Sequence, residues 1–318
     1  MEAKNAHRSS MDHGMFYRPN ADTVLHFRCS FVKQLKTVFD ILQSIKKDGA
    51  LIFTPTTITF RTESDFAKGI ATIDCAGPGA VDINNYFYDR HALGEQHVAG
   101  CCFETICKNL TLTHSSDVLD FYIDKACIEK NKMKFTIESM ASKYSYSLFV
   151  PLTMYPLSDT KVAAGKLFDV SVRLSTQHFL KMLRSCNRNG SKVQFFSHVS
   201  KGTNYFTMAT NGENLGVDVL TSTAFSAPDP THNEAKQDNT SIQTLKQVDE
   251  EKGAGPQVNC SCHSQNLYDT STMLSLAKAT SLSSVVGIHF SKDKDVVAIK
   301  YRISTMGTLR CYVAPLVQ

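Results

Sequence analysis

The order of elements in this sequence occurs twice, and that repeat limits what the chain can fold into more than any single motif does. Phe31, Leu35, Val38, Phe39, Leu42 and Ile45 recur at helical spacing, with Ser30 placed as N-cap and Gly49 as the stop. Strands are expected at about 51–60 and 68–75, then a shorter helix near 101–109, then strands at about 110–113, 118–124, 133–138 and 144–150. The second half runs the same way. A strand at about 168–174 precedes a helix beginning at Ser175 or Thr176 and ending before Gly190, and strands follow at about 192–198, 204–209 and 215–221. A strand near 258–264, a helix near 270–279 and strands at 284–290, 295–303 and 308–314 complete it. Gly49 corresponds to Gly190 at an offset of 141, and Lys108 to Lys278 at an offset of 170. The 29-residue difference nearly equals the 32-residue polar stretch Ser226–Gln257 that separates the two pairs. Without that stretch two similar halves remain, each rich in short strands and carrying two helices, which is an internal duplication. Two strand-rich halves of this kind, each with two helices, read as an α+β fold of two duplicated domains.

Composition sets the remaining boundaries. Residues 1–22 lack hydrophobic periodicity, and 226–257 is nearly devoid of apolar residues, so both are expected to be disordered. The polar stretch carries six acids against three bases, net −3, so in a chain of total charge +4 everything else carries +7. The domains expected are therefore 23–150 and 168–318, joined by a connector over 151–167. No apolar run approaches the ~20 residues a membrane span needs, so no membrane partner is expected. The first twenty residues carry His, Arg, Ser and Asp where a signal peptide has an apolar stretch. Ten scattered cysteines fit a reducing compartment better than a disulfide framework.

The chemistry-bearing residues point away from catalysis. There is no Gly-rich phosphate loop, no H-E-x-x-H and no G-x-S-x-G. Cys260-Ser261-Cys262-His263 is the tightest metal-capable group, but its spacing is too narrow for an ordinary zinc site, and period-2 alternation reads it as one strand. Cys101-Cys102 is read as helix burial. No metal and no cofactor is expected, and a hydrolase reading would require a catalytic cluster in a concave pocket. The helices say more. Gln177, Lys181, Arg184 and Arg188 fall at i, i+4, i+7 and i+11, one stripe opposite Phe179, Met182, Leu183 and Cys186. Lys33 and Lys36 lie off the apolar face of the first helix, and Lys108 and Lys278 mark the other two, so all four helices present a base.

Three segments carry a family resemblance. Lys278-Ala279-Thr280-Ser281-Leu282-Ser283-Ser284 is similar to K-A-T-P-L-S-S, Tyr301-Arg302-Ile303 with Met306-Gly307 to Y-K-I-x-x-M-G, and Leu309 to Pro315 to L-K-Y-Y-L-A-P. These are segments of the proliferating cell nuclear antigen family of DNA sliding clamps, and Phe179–Arg184 and Ser30–Lys33 add weaker matches. The likeness spans roughly 23–318 outside the polar stretch, and it implies the DNA clamp fold, two duplicated domains of antiparallel sheets with two helices each. It implies a DNA polymerase processivity factor that closes into a homotrimeric ring around double-stranded DNA, in the nucleus or at a viral replication site. The clamp loader, the polymerase and other proteins with short clamp-binding motifs are its implied partners. A heteromeric checkpoint-type clamp, or a viral replication or transcription accessory protein of the same fold, is the alternative. In such a ring Lys33, Lys36, Lys108, Lys181, Arg184, Arg188 and Lys278 would line the bore and touch phosphates without reading sequence.

The resemblance also implies a groove for partner motifs. The connector would supply one wall through Leu152, Met154, Tyr155 and Leu157. The other would come from Val296, Tyr312, Ala314 and Pro315, with Ala67 and Lys68 from the first domain. Val296 and Ser281 stand where the family has prolines. Subunits would pair through strands at about Ser145–Val150 and Leu215–Leu220.

Overall fold

The computed structural model describes residues 21–77, 80, 83–111, 113–139, 142–156, 168–200, 203–211, 218–226, 257–260, 263–291 and 296–316. The N-terminal extension before residue 21, connector residues 157–167 with Leu157, and polar-stretch residues 227–256 lie outside this set.

The first half comprises β1 (Thr23–Cys29), α1 (Val32–Ile45), β2 (Asp48–Phe53), β3 (Thr57–Glu63), β4 (Ala67–Asp74), β5 (Ile83–Tyr88), α2 (Arg90–Leu93), β6 (His97–Cys102), α3 (Phe103–Leu110), β7 (Val118–Asp124), α4 (Lys125–Glu129), β8 (Lys132–Ser139) and β9 (Tyr144–Pro151). The second comprises β10 (Val170–Ser175), α5 (Thr176–Asn189), β11 (Lys192–Ser200), β12 (Thr203–Asn211), β13 (Asp218–Ser226), β14 (Gln257–Cys260), β15 (Ser264–Asp269), α6 (Thr270–Leu276) with a 3-10 turn (Ala277–Ser281), β16 (Val285–Phe290), β17 (Val297–Ile303) and β18 (Gly307–Val313). The architecture is mixed α+β, with antiparallel strands in three sheets. One has the order β5-β1-β7-β8-β9, a second β13-β12-β11-β15, and the large one β14-β10-β16-β17-β18-β4-β3-β2-β6.

The large sheet joins the halves. Its seam is β18 against β4, in register from Val313 opposite Ala67 to Gly307 opposite Ile73. A Cβ on Gly307 would lie 2.1 Å from the Thr72 carbonyl oxygen, so the glycine lets the two backbones approach this closely. Gly307→Ala is expected to cost about 2 kcal/mol, as overpacking does, and to lower the urea midpoint; an unchanged midpoint would mean that the seam is slack.

The same joint recurs in both halves. The Phe103 N–H that opens α3 donates to Lys47 O at 2.7 Å, and the Thr270 N–H that opens α6 donates to Ser191 O at 2.9 Å. Matching ladders run through each half. Phe27, Phe121, Phe135 and Leu148 stand opposite one another across β1-β7-β8-β9. Val172, Ile288, Ile299 and Cys311 do so across β10-β16-β17-β18. Seven of these eight side chains are buried, each contributing up to about 1.5–3 kcal/mol. Leu148 is half-buried. Burial also pushes the Cys107 and Cys311 thiols up to about 12, and the cysteines of the described residues are free.

The structure corrects several boundaries. The N-cap position of α1 is Phe31, not Ser30, and no side chain caps it. Gly49 lies in β2 and stops no helix; a Cβ there would meet the Phe103 ring at 2.2 Å. The expected strand at 51–60 is two strands, because Thr54 accepts from the Thr57 N–H through its hydroxyl and turns the chain. Cys101 and Cys102 end β6 instead of opening a helix, and residues 103–110 are helical, so the strand expected from 110 does not form. The strand read through Cys260–His263 is likewise two. β14 belongs to the large sheet and β15 to the four-stranded one, so alternation does not run through Cys260 and His263; residues 261–262 lie outside the described set. Among the described residues no three His, Cys, Asp or Glu side chains group as metal ligands. No helix there is long and apolar enough to cross a membrane.

Candidate functional site

The helices form one layer. α5 packs beside α6 and the 3-10 turn, that turn beside α1, and α1 beside α3. Thr37 of α1 and Ser281 of the turn hydrogen-bond through their hydroxyls at 3.0 Å, which ties the layer across the two halves. The Ser175 hydroxyl accepts the His178 N–H at 3.3 Å and starts α5 in the orientation that buries Phe179, Met182, Leu183 and Cys186. The opposite stripe, Gln177, Lys181, Arg184 and Arg188, is exposed.

The other expected bases are less equal. Lys33 and Lys278 are exposed, and among the described residues neither they nor the α5 bases form an ion pair. Lys36 is held by Asp40 one turn on at 2.6 Å. Lys108 meets Glu104 at 2.9 Å, and the same carboxylate takes Lys47 at 3.0 Å. Hydrogen bonds from these two ammoniums hold the Glu104 carboxyl below its usual range, and Glu104 in turn raises Lys47. Lys47 escaped the sequence reading because it sits between α1 and β2, outside any helical stripe. It lines a hollow with Lys278, Asp40, Gln43 and Glu104, where the two halves meet.

The opposite face of the large sheet carries the second group. Alternation along β18 turns Tyr312 and Arg310 outward, while Leu309, Cys311 and Val313 are buried. Tyr312 stands opposite Ala298 on one side and Lys68 on the other. Val296 is exposed, and Ala314 and Pro315 are half-buried. The Ala314 N–H donates to Phe66 O at 2.9 Å, which sets Phe66, 72% exposed, beside this strip. Phe66 was missed because it lies in the polar turn Ser64-Asp65-Phe66, where no periodicity singles it out. Ala67 points inward and is buried, and Lys68 is also buried, with its ammonium 3.2 Å from Glu63. Neither offers the exposed surface expected of it.

The connector approaches from the far edge. Thr153 exchanges two backbone hydrogen bonds of 2.8 Å with Gly100 of β6, four strands from β18, or about 19 Å at the usual strand spacing. Leu152 packs on the core, Met154 is 98% exposed, and Tyr155 is half-buried. Burial, and then the Glu63 carboxylate, push the Tyr155 hydroxyl up while Arg61 opposes; a Cβ on Gly100 would lie 3.0 Å from Tyr155 Cβ, so the residue sits against β6. Tyr155 is therefore held at the β6 edge of the large sheet, Leu152 packs on the core, and Leu157 lies outside the described residues.

Comparison with known proteins gives one family. Residues 231–316 match the model described as proliferating cell nuclear antigen, C-terminal domain. No curated protein matches the chain. The matched span holds α6, the 3-10 turn and β14 to β18, including the seam strand and Tyr312, Ala314 and Pro315. Residues 231–316 are thus similar to the C-terminal domain of the proliferating cell nuclear antigen family, and the mixed α+β architecture with its antiparallel sheets is consistent with the clamp fold.

Proposed function

We propose that this protein is a homotrimeric sliding clamp, a ring that encircles duplex DNA and holds a polymerase and other replication proteins on it. The observation that carries this reading is the difference between Leu148 and Cys311. The two occupy the same place in matching ladders, but Cys311 is covered by β4 while β9 is the edge of its sheet, leaving Leu148 half-buried. The strand that would cover β9 has a counterpart in the second half. Leu51-Phe60-Ala71 across β2-β3-β4 matches Phe195-Met208-Thr221 across β11-β12-β13, so β13 is the equivalent of β4, and it too is an edge. An edge strand is a template for pairing with another chain. β9 of one protomer against β13 of the next repeats the seam head to tail, and Leu148 then stands opposite Val219 as Cys311 stands opposite Gly69. Three such interfaces close the ring.

In that ring the helix layer faces the bore. The stripe Lys181, Arg184 and Arg188, with Lys33 and Lys278, touches phosphates without base reading, which permits sliding. The outward strip of Phe66, Val296, Tyr312, Ala314 and Pro315, with Tyr155 at the β6 edge, accepts short apolar partner motifs, including those of a clamp loader. No catalytic step is assigned, and the ring works where DNA is replicated, in the nucleus or at a viral replication site.

Light scattering of the full chain together with DNA retention tests the reading. A trimer mass, and retention on closed circular DNA with release from linear ends after loading, are expected. A monomer retained equally on both would overturn it, and a monomer that assembles only with other clamp chains would favour the heteromeric alternative. A Leu148→Cys, Val219→Cys pair is expected to cross-link neighbouring protomers, since directly opposed strand residues meet disulfide geometry.

A further inference from the structure

Beside the Tyr312 strip, on the same outward face, lies a group of cations that the clamp reading does not use. Lys300 on β17 stands directly opposite Arg310 on β18, and Arg302 lies two residues further along β17. Alternation turns all three outward, since their neighbours Ile299, Tyr301, Ile303, Leu309 and Cys311 are buried. Arg302 and Arg310 are exposed, and Lys300 is half-buried between them. Among the described residues none of the three forms an ion pair. Glu63, the acid this face offers on β3, is already shared by Arg61 at 3.1 Å and Lys68 at 3.2 Å.

The surroundings sharpen the charge. Burial first, then Arg310 and Arg302, pull the Lys300 ammonium below its ordinary value. His289, one strand over, is held down to about 4 by burial with help from Lys300 and Arg310, so it stays neutral at pH 7 beside the Phe168 ring 5.8 Å away. Cations held close enough to repel one another, with no carboxylate between them, gain most from an anionic partner.

The spacing selects the partner. Lys300 and Arg302 are about 7 Å apart along the strand, and Lys300 and Arg310 about 5 Å across it. An extended peptide places alternate side chains on one side at the same ~7 Å pitch. Continuity points the same way, because Arg310 is two residues from Tyr312 on β18, and Lys300 is two from Ala298, which faces Tyr312. A chain leaving the apolar strip along β17 and β18 meets these cations next.

We propose that partner segments seated on the Tyr312 strip continue over Lys300, Arg310 and Arg302 with aspartate or glutamate at alternate positions, so that this clamp selects motifs with an acidic flank. This rests on the partner-groove reading above.

Fluorescence anisotropy on the full-length protein tests it with two peptides that share a Leu/Phe anchor, one tailed Asp-x-Asp-x-Asp and the other Asn-x-Asn-x-Asn. Three exposed ion pairs at typical strength make the acidic peptide roughly tenfold tighter, and the advantage is expected to shrink in high salt. The triple variant Lys300→Gln, Arg302→Gln, Arg310→Gln is expected to abolish the difference and leave the Asn-tailed affinity unchanged. Equal binding of both peptides to the unmodified protein would overturn the acidic flank while the groove stands. If neither peptide binds, the groove reading fails separately, and the acidic tail alone, titrated at high concentration, decides for the patch. Tail binding that disappears in the triple variant supports it; no binding overturns it. Displacement of the acidic tail by a single-stranded oligonucleotide at lower concentration would assign the patch to nucleic acid and overturn the peptide proposal.

Discussion

Leu148→Lys is expected to turn the proposed ring into folded monomers. In the isolated chain this side chain is half-buried at the open edge of β9, so an ammonium there still reaches water. Once β13 of a neighbour closes over the edge, the same position takes on the environment of Cys311, fully buried under β4. Enclosing an unpaired charge costs several kcal/mol, and a ring incurs that cost at every subunit interface. The mass from light scattering should fall to that of one chain, with the far-ultraviolet spectrum and the thermal midpoint of the monomer retained. Retention on circular DNA should disappear with it. Cys311→Lys provides the contrast, because its environment is closed within a single chain and the protein is expected not to fold. A Leu148→Lys protein that stayed trimeric would remove β9 from the subunit interface.

Replacing Lys181, Arg184 and Arg188 together by alanine is expected to leave assembly intact and to weaken DNA binding steeply at low salt. These residues occupy the exposed stripe of α5, away from its buried face, so their removal leaves Phe179 and Leu183 packed. Each phosphate no longer neutralised should flatten the plot of log affinity against log salt by about 0.9. The same substitution at Lys36 or Lys108 should do less, because Asp40 and Glu104 already share those charges. Glu104→Gln should act in the opposite direction, releasing Lys47 and Lys108 toward the DNA. An unchanged salt slope in the triple variant would take α5 out of the bore.

Much of this was legible in the sequence, and the omissions follow a rule. The long helices, the closing strands and the repeat were readable because hydrophobic periodicity over many residues admits one interpretation, as in α5. Short apolar runs did not have that property. His97–Cys102 reads equally as helix or strand until its pairing with β2 is known, and the turn at Thr54 is written in hydroxyl hydrogen bonds that propensity does not register. The bases of the helix layer were visible as a stripe. Their neutralisation by Asp40 and Glu104 required knowing which rotamers met. Phe66 and Lys47 lie between elements, where no pattern operates. Lys300 and Arg310 are ten residues apart in the chain and adjacent only because β17 and β18 pair in one register.

The seam at Gly307 has a mechanical consequence. In a ring of three chains the β18–β4 junction and its trans counterpart alternate around the circle, alike in strand geometry but different in connection. Where β18 meets β4, the polypeptide also runs from one half to the other, so forcing those strands apart still leaves them leashed. Where β9 meets β13, nothing covalent crosses. Under an opening force the proposed ring would therefore have three hinges and three gates, the leashed junctions bending while the unleashed ones part to let a DNA strand pass.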